Sequence, residues 1–111
     1  MDIFGAFFEE QIIGIIGFKQ ETLKKIEHSG ELVSLYIAPK FRSQGIGGSL
    51  VKHAIEHAQN QVSQLCLYCI TENDELIRFY EKHGFTTLGV YPRGMKLGEK
   101  FYDTNIMFLT L

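Results

Sequence analysis

The chain has 111 residues, 45% of them apolar, and a formal net charge of −2. That length supports one small core, which the apolar content can fill. No run of about 18 apolar residues offers a membrane span, Met1-Asp2 lacks the basic opening of a secretory leader, and the dispersed Lys and Arg leave no nucleic-acid footprint. Two cysteines are too few for a disulfide framework, so the expected setting is cytoplasmic.

Phe4–Glu9 and Ile12–Phe18 read as an opening hairpin that turns near Glu10. Both segments are nearly all apolar, which predicts burial on two faces. Lys19–Gly30 is polar and shows no period. Glu31–Ala38 is a third strand, stopped by Pro39. Gly45–Gln59 follows as a helix whose apolar stripe is Ile46, Leu50, Val51, Ala54, Ile55 and Ala58. Leu65–Ile70 is a buried strand. Asp74–His83 is a second helix: Asn73 suits the N-cap, Asp74 and Glu75 the first turn, and Gly84 the position just past the end. Leu76, Ile77 and Tyr80 share one face of it. Thr86–Tyr91 and Tyr102–Leu109 close the chain as strands, joined by a loop containing Pro92 and Gly94. No repeat, low-complexity tract or linker divides the chain, which reads as a single domain over residues 1–111.

Three patterns suggest chemistry that their surroundings argue against. Cys66 and Cys69 have the spacing of a redox or zinc pair, but residues three apart on a strand point to opposite faces. His53-Ala54-Ile55-Glu56-His57 spells the inverted zinc-protease motif, yet no third ligand is evident, and His53, Glu56 and His57 fall off the core stripe toward solvent. Gly45 and Gly47 lack the third glycine of a dinucleotide fingerprint, and no Gly-Lys-Ser/Thr follows for a Walker loop.

The most informative stretch is Arg42-Ser43-Gln44-Gly45-Ile46-Gly47-Gly48-Ser49, which runs from the third strand into the first helix. Glycines allow a sharp turn and close approach of a ligand. The helix start supplies unpaired N–H groups and a positive dipole end, both suited to a pyrophosphate. Arg42 adds a fixed charge at the mouth. An ordinary glycine-rich turn before a helix is the competing reading.

Together with the strand and Pro39 before it, this stretch resembles the acetyl-CoA-binding motif of the GCN5-related N-acetyltransferase (GNAT) superfamily. Arg42, Gly45 and Gly47 fill its Gln/Arg-x-x-Gly-x-Gly/Ala pattern. A second match follows in order: Asn73, then Phe79-Tyr80, then Gly84-Phe85. The resemblance covers nearly the whole chain, from Asp2 to Leu111. It implies an α/β (mixed α+β) fold with a central mixed sheet of about six strands and helices packed on it. It also implies that the chain lacks the strand and two helices with which members usually begin, elements that line the acceptor side. A minimal enzyme, a fragment, or a subunit completed by its partner would each fit that.

The activity implied is acetyl transfer from acetyl-CoA to the primary amine of a small molecule, amino acid or peptide, with no metal. Backbone amides of Gln44, Gly45, Ile46, Gly47, Gly48 and Ser49 would hold the pyrophosphate. The pantetheine arm would pair like an added strand with Leu35, Tyr36 and Ile37, where an N–H can polarise the acetyl carbonyl. Tyr80 matches the family's usual general acid; its alternative is a core aromatic, although Phe79 beside it better suits packing. Asn73 matches a residue that contacts the cofactor arm, or is purely an N-cap. Glu31, eleven residues before Arg42, stands where histone-type members carry a base, or is a solvated strand-end charge. A degenerate acetyl-CoA-binding or interaction module is the alternative function. The apolar edge Asp2–Phe8, with Ile3, Phe4, Phe7 and Phe8, points to a homodimer.

Overall fold

The computed structural model describes residues 1–111. Six strands form one sheet in the order β1-β2-β3-β4-β6-β5, accompanied by two α-helices, which is the mixed architecture expected. The chain forms two compact units, Met1–Leu65 with Leu111, and Cys66–Thr110.

The first unit opens with β1 (Asp2–Phe8) and β2 (Gln11–Gln20), an antiparallel hairpin pairing Phe8 with Gln11. Its turn is Glu9-Glu10, with φ of 49° and 69°. Two left-handed residues give the turn whose twist matches the strands, here without the usual Asn-Gly. Burial differs from expectation. Ile13, Ile16 and Phe18 of β2 are buried, whereas in β1 only Phe4 and Ala6 are even partly covered. The reason is position: β2 lies between two neighbours, and β1 is the edge.

The polar stretch 19–30 resolves into the end of β2, a 3-10 turn at Lys24–Ile26, and the start of β3 (Ser29–Ile37). Gly30 is required where β3 begins, since a Cβ there would run into the Phe18 ring. Between Gly17↔Val33 and Ile15↔Tyr36 the register slips, so Ser34 and Leu35 together oppose Ile16. Ser34, at φ 59°, is the kink of this β-bulge. A 3-10 turn at Pro39–Phe41 then leads to α1 (Ile46–Ala58), which buries Leu50, Val51, Ala54 and Ala58. His53 and Glu56 are exposed as the stripe predicts, but His57 is half-buried. Its ring packs edge-on against Phe4 and Phe18, and its Nε2 donates to the Asp2 carboxylate at 2.9 Å. A flank of α1 thus meets the edge strand, a contact that helical periodicity alone does not reveal.

The second unit contains most of β4 (Gln64–Ile70), then α2 (Asp74–Lys82), β5 (Thr86–Leu97) and β6 (Lys100–Thr110). Leu67, Cys69, Tyr80, Phe85 and Met107 are buried. Asn73 caps α2 by accepting from Leu76 N–H at 3.1 Å, and Gly84 follows its end at φ 95°. The expected loop at Pro92 and Gly94 is instead strand. β5 runs through both residues and turns at Gly98-Glu99. A wide bulge absorbs the breakers, since Pro92, Arg93 and Gly94 all lie between the pairs Tyr91↔Thr104 and Met95↔Tyr102. Arg93, at φ 57°, donates its N–H to the Asp103 carboxylate at 2.9 Å. Gly94 is fixed by the buried Thr104, which a Cβ would strike.

Candidate active site

In the first unit the glycine loop has the geometry of an anion nest. Ser43 and Gly45 take left-handed φ values of 64° and 82°. Gly45 is the N-cap of α1, and the first turn-closing bond runs from Ser49 N–H to Gly45 O at 3.1 Å. The amides of Ile46, Gly47 and Gly48 therefore precede the intrahelical ladder and are oriented out of the positive end of the dipole. Gly45 and Ser49 are exposed, and a Cβ built on Gly45 would meet nothing within 4 Å. That open space suits a pyrophosphate resting on bare backbone. Gln44 folds back, its Nε2 donating to Lys40 O at 3.4 Å.

Arg42 is held from two sides. Its Nε donates to the Ile37 carbonyl at 2.9 Å, and its Cζ lies 5.5 Å from the centroid of the Tyr36 ring. Leu35, Tyr36 and Ile37 form the last stretch of β3, immediately beyond the bulge at Ser34. The bulge interrupts the ladder where an extended ligand arm would need backbone groups. Nothing in the sequence flags it, because a serine carries no left-handed signal.

Glu31 lies on the same strand, six residues before Ile37, or roughly 20 Å along it at about 3.3 Å per residue. Its register partner is Lys19. Partial burial pushes its carboxyl above the ordinary carboxylate value; Lys19 opposes that shift and Glu21 adds to it.

The second unit carries Asn73 and Tyr80. Asn73 does cap α2, and the cap engages only its Oδ1, leaving the side-chain N–H2 group to donate elsewhere. Tyr80 is 5% exposed, while Phe79 is only half-buried. This reverses the expectation that Phe79 is the packing residue of the pair. The Tyr80 ring packs against Phe79 and Phe85 at 5.2 and 5.6 Å. Burial first, and the neighbouring Cys69 second, push its phenol well above its usual range. The two cysteines form no disulfide, and burial pushes the Cys69 thiol up to about 11, so it is no poised nucleophile.

The family model described as Acetyltransferase (GNAT) family matches residues 2–85. N-alpha-acetyltransferase 30 of Dictyostelium discoideum is 34% identical over 86 residues, covering 77% of this chain and 46% of that protein. Mycothiol acetyltransferase of Corynebacterium efficiens is 36% identical over 76 residues, covering 65% of this chain and 24% of that one. Among solved structures, the acetyltransferase of GNAT family from Streptococcus pneumoniae superposes with a TM-score of 0.90 at 31% identity, covering 98% of this chain and 66% of that chain. The chain spans less than half the length of these two curated relatives.

Proposed function

The chain belongs to the GNAT acetyltransferase family, and on that premise we propose that it transfers the acetyl group of acetyl-CoA to a primary amine. The observation that carries this reading is the Ser43–Ser49 loop, whose left-handed Ser43 and Gly45 present the α1 amides to an exposed, unobstructed mouth. In the proposed reaction the amine nitrogen attacks the thioester carbonyl. A C–N bond forms, the C–S bond breaks, the amine loses a proton and the thiolate gains one.

Each candidate then takes a role. The amides of Gln44 to Ser49 and the Arg42 guanidinium hold the pyrophosphate. Backbone groups of Leu35, Tyr36 and Ile37 align the pantetheine arm, and an N–H beside the bulge polarises the acetyl carbonyl. Asn73 donates to the arm. Glu31, with its carboxyl raised by burial, accepts the amine proton, directly or through water. Tyr80, held neutral, donates to the thiolate. The acceptor is an amine of a small molecule, amino acid or peptide, and the relatives' names include both an N-alpha-acetyltransferase and a mycothiol acetyltransferase. A cysteine count of two, too low for a disulfide framework, fits a cytoplasmic setting.

The burial of Tyr80 favours a second reading, an acetyl-CoA-binding module without transfer. Calorimetry with acetyl-CoA, followed by thiol release against a panel of amines, separates the two. Binding with amine-dependent release supports the enzyme, and binding with none supports the module. A folded protein that binds no acetyl-CoA overturns both.

A further inference from the structure

We propose that Tyr36 is a positioning residue for Arg42, its ring fixing the guanidinium so that the free edge of the fork faces the pyrophosphate. This rests on the acetyl-CoA reading and deepens it.

Arg42 follows the Pro39–Phe41 turn in extended backbone, and its side chain is exposed. An exposed arginine samples many rotamers and surrenders that freedom when it binds. Here two contacts restrain it beforehand. Nε donates to the Ile37 carbonyl at 2.9 Å, and the guanidinium lies over the Tyr36 ring, with 5.5 Å from Cζ to the ring centroid. Neither contact uses the Nη groups, which remain available for a bidentate bond to a phosphate. Lysine offers neither the planar face nor the fork.

Tyr36 is poorly explained as a packing residue. It is 53% exposed, beside half-buried Leu35 and Ile37 on the same strand. The bulge at Ser34 lies between it and the buried part of β3, so its ring is set by the local kink and not by the core. An exposed aromatic facing an arginine is what cation–π positioning requires.

The test is a double-mutant cycle read by calorimetry, with coenzyme A and with pantetheine, which lacks the pyrophosphate. An exposed cation–π contact is worth about a two- to fivefold change in affinity. Tyr36→Leu should weaken coenzyme A by about that factor and leave pantetheine unchanged. Tyr36→Phe, which keeps the π-face, should restore most of the affinity. In an Arg42→Ala background, Tyr36→Leu should have no further effect. Equal losses for both ligands, or additive losses in the cycle, would show that Tyr36 touches ligand directly or merely shapes the strand, and would overturn the proposal. Failure of the unsubstituted protein to bind coenzyme A would instead overturn the acetyl-CoA reading on which it rests.

Discussion

Burial biases Glu31 and Tyr80 alike toward their protonated forms, with opposite consequences for the base and acid roles proposed for them. A base must give up its proton before it can accept another, so a raised carboxyl value moves the onset of activity to higher pH while strengthening the base. Glu31→Gln should lower turnover and remove the acidic limb of the kcat/KM profile. Stability follows the same sign. A carboxyl that binds its proton more tightly when folded stabilises the native state below its ordinary value, and that contribution is lost as pH rises through the raised value. Urea midpoints between about pH 4 and pH 7 should therefore fall more steeply in the parent than in Glu31→Gln; parallel curves would place Glu31 in solvent. For Tyr80 the raised value guarantees a proton but makes its release costly. Tyr80→Phe keeps the ring, so the fold and coenzyme A affinity should persist while turnover drops roughly 100-fold. Unchanged turnover, with chemistry limiting, would reassign the phenol to the core. At this scale the sequence locates the loop around Arg42, Gly45 and Gly47, whose glycines mark the left-handed turn found at Gly45. It conceals the kink at Ser34, which is set by the register of β3 against β2, and the placement of the Arg42 guanidinium over the Tyr36 ring.

Elements with a strong period or clear caps were legible to within a few residues: the opening hairpin, both helices and β4. Those that depend on a partner strand were not. Pro92 and Gly94 break strands in isolation, yet β6 accommodates them by leaving Asp103 to face a three-residue bulge and cap Arg93 N–H. The half-buried His57 is another such case, since its neighbours Asp2 and Phe4 enter from a strand some fifty residues earlier. The glycine loop makes a sharper test of element and ligand together. Gly45 sits at φ 82°, where any side chain is strained, and its open side is where the pyrophosphate would rest. Gly45→Val should cost about 1–2 kcal/mol of stability and reduce coenzyme A affinity more than tenfold, with far-UV circular dichroism unchanged. Near-normal affinity in a folded variant would mean that the loop does not hold the ligand.

On the scale of the whole molecule, the edge strand β1 is what a single copy leaves unresolved. Ile3 and Phe7, on the face opposite Phe4 and α1, are each 64% exposed, and Ile12 beside them is 62% exposed. The strand's outer backbone N–H and C=O groups have no neighbour in the sheet order, and the nearest charges, Asp2, Glu9 and Glu10, lie at its ends. Asp2 is already engaged by His57, so it offers little protection against pairing. Apart from Asp2 at its start, this seven-residue edge carries no charge and no proline, the kind of template that natural proteins cover. A second copy pairing β1 with β1 would satisfy the edge backbone and bring the Ile3 and Phe7 side chains of the two copies side by side, and its self-complementarity requires only a twofold axis. Sedimentation at micromolar concentration should then give twice the 12.7 kDa of one chain, with a melting temperature that rises with protein concentration. Phe7→Lys, exposed and outside the candidate site, should yield a folded monomer. If the parent chain sediments as a monomer and still releases thiol with an amine, neither the dimer nor any need for it in catalysis survives.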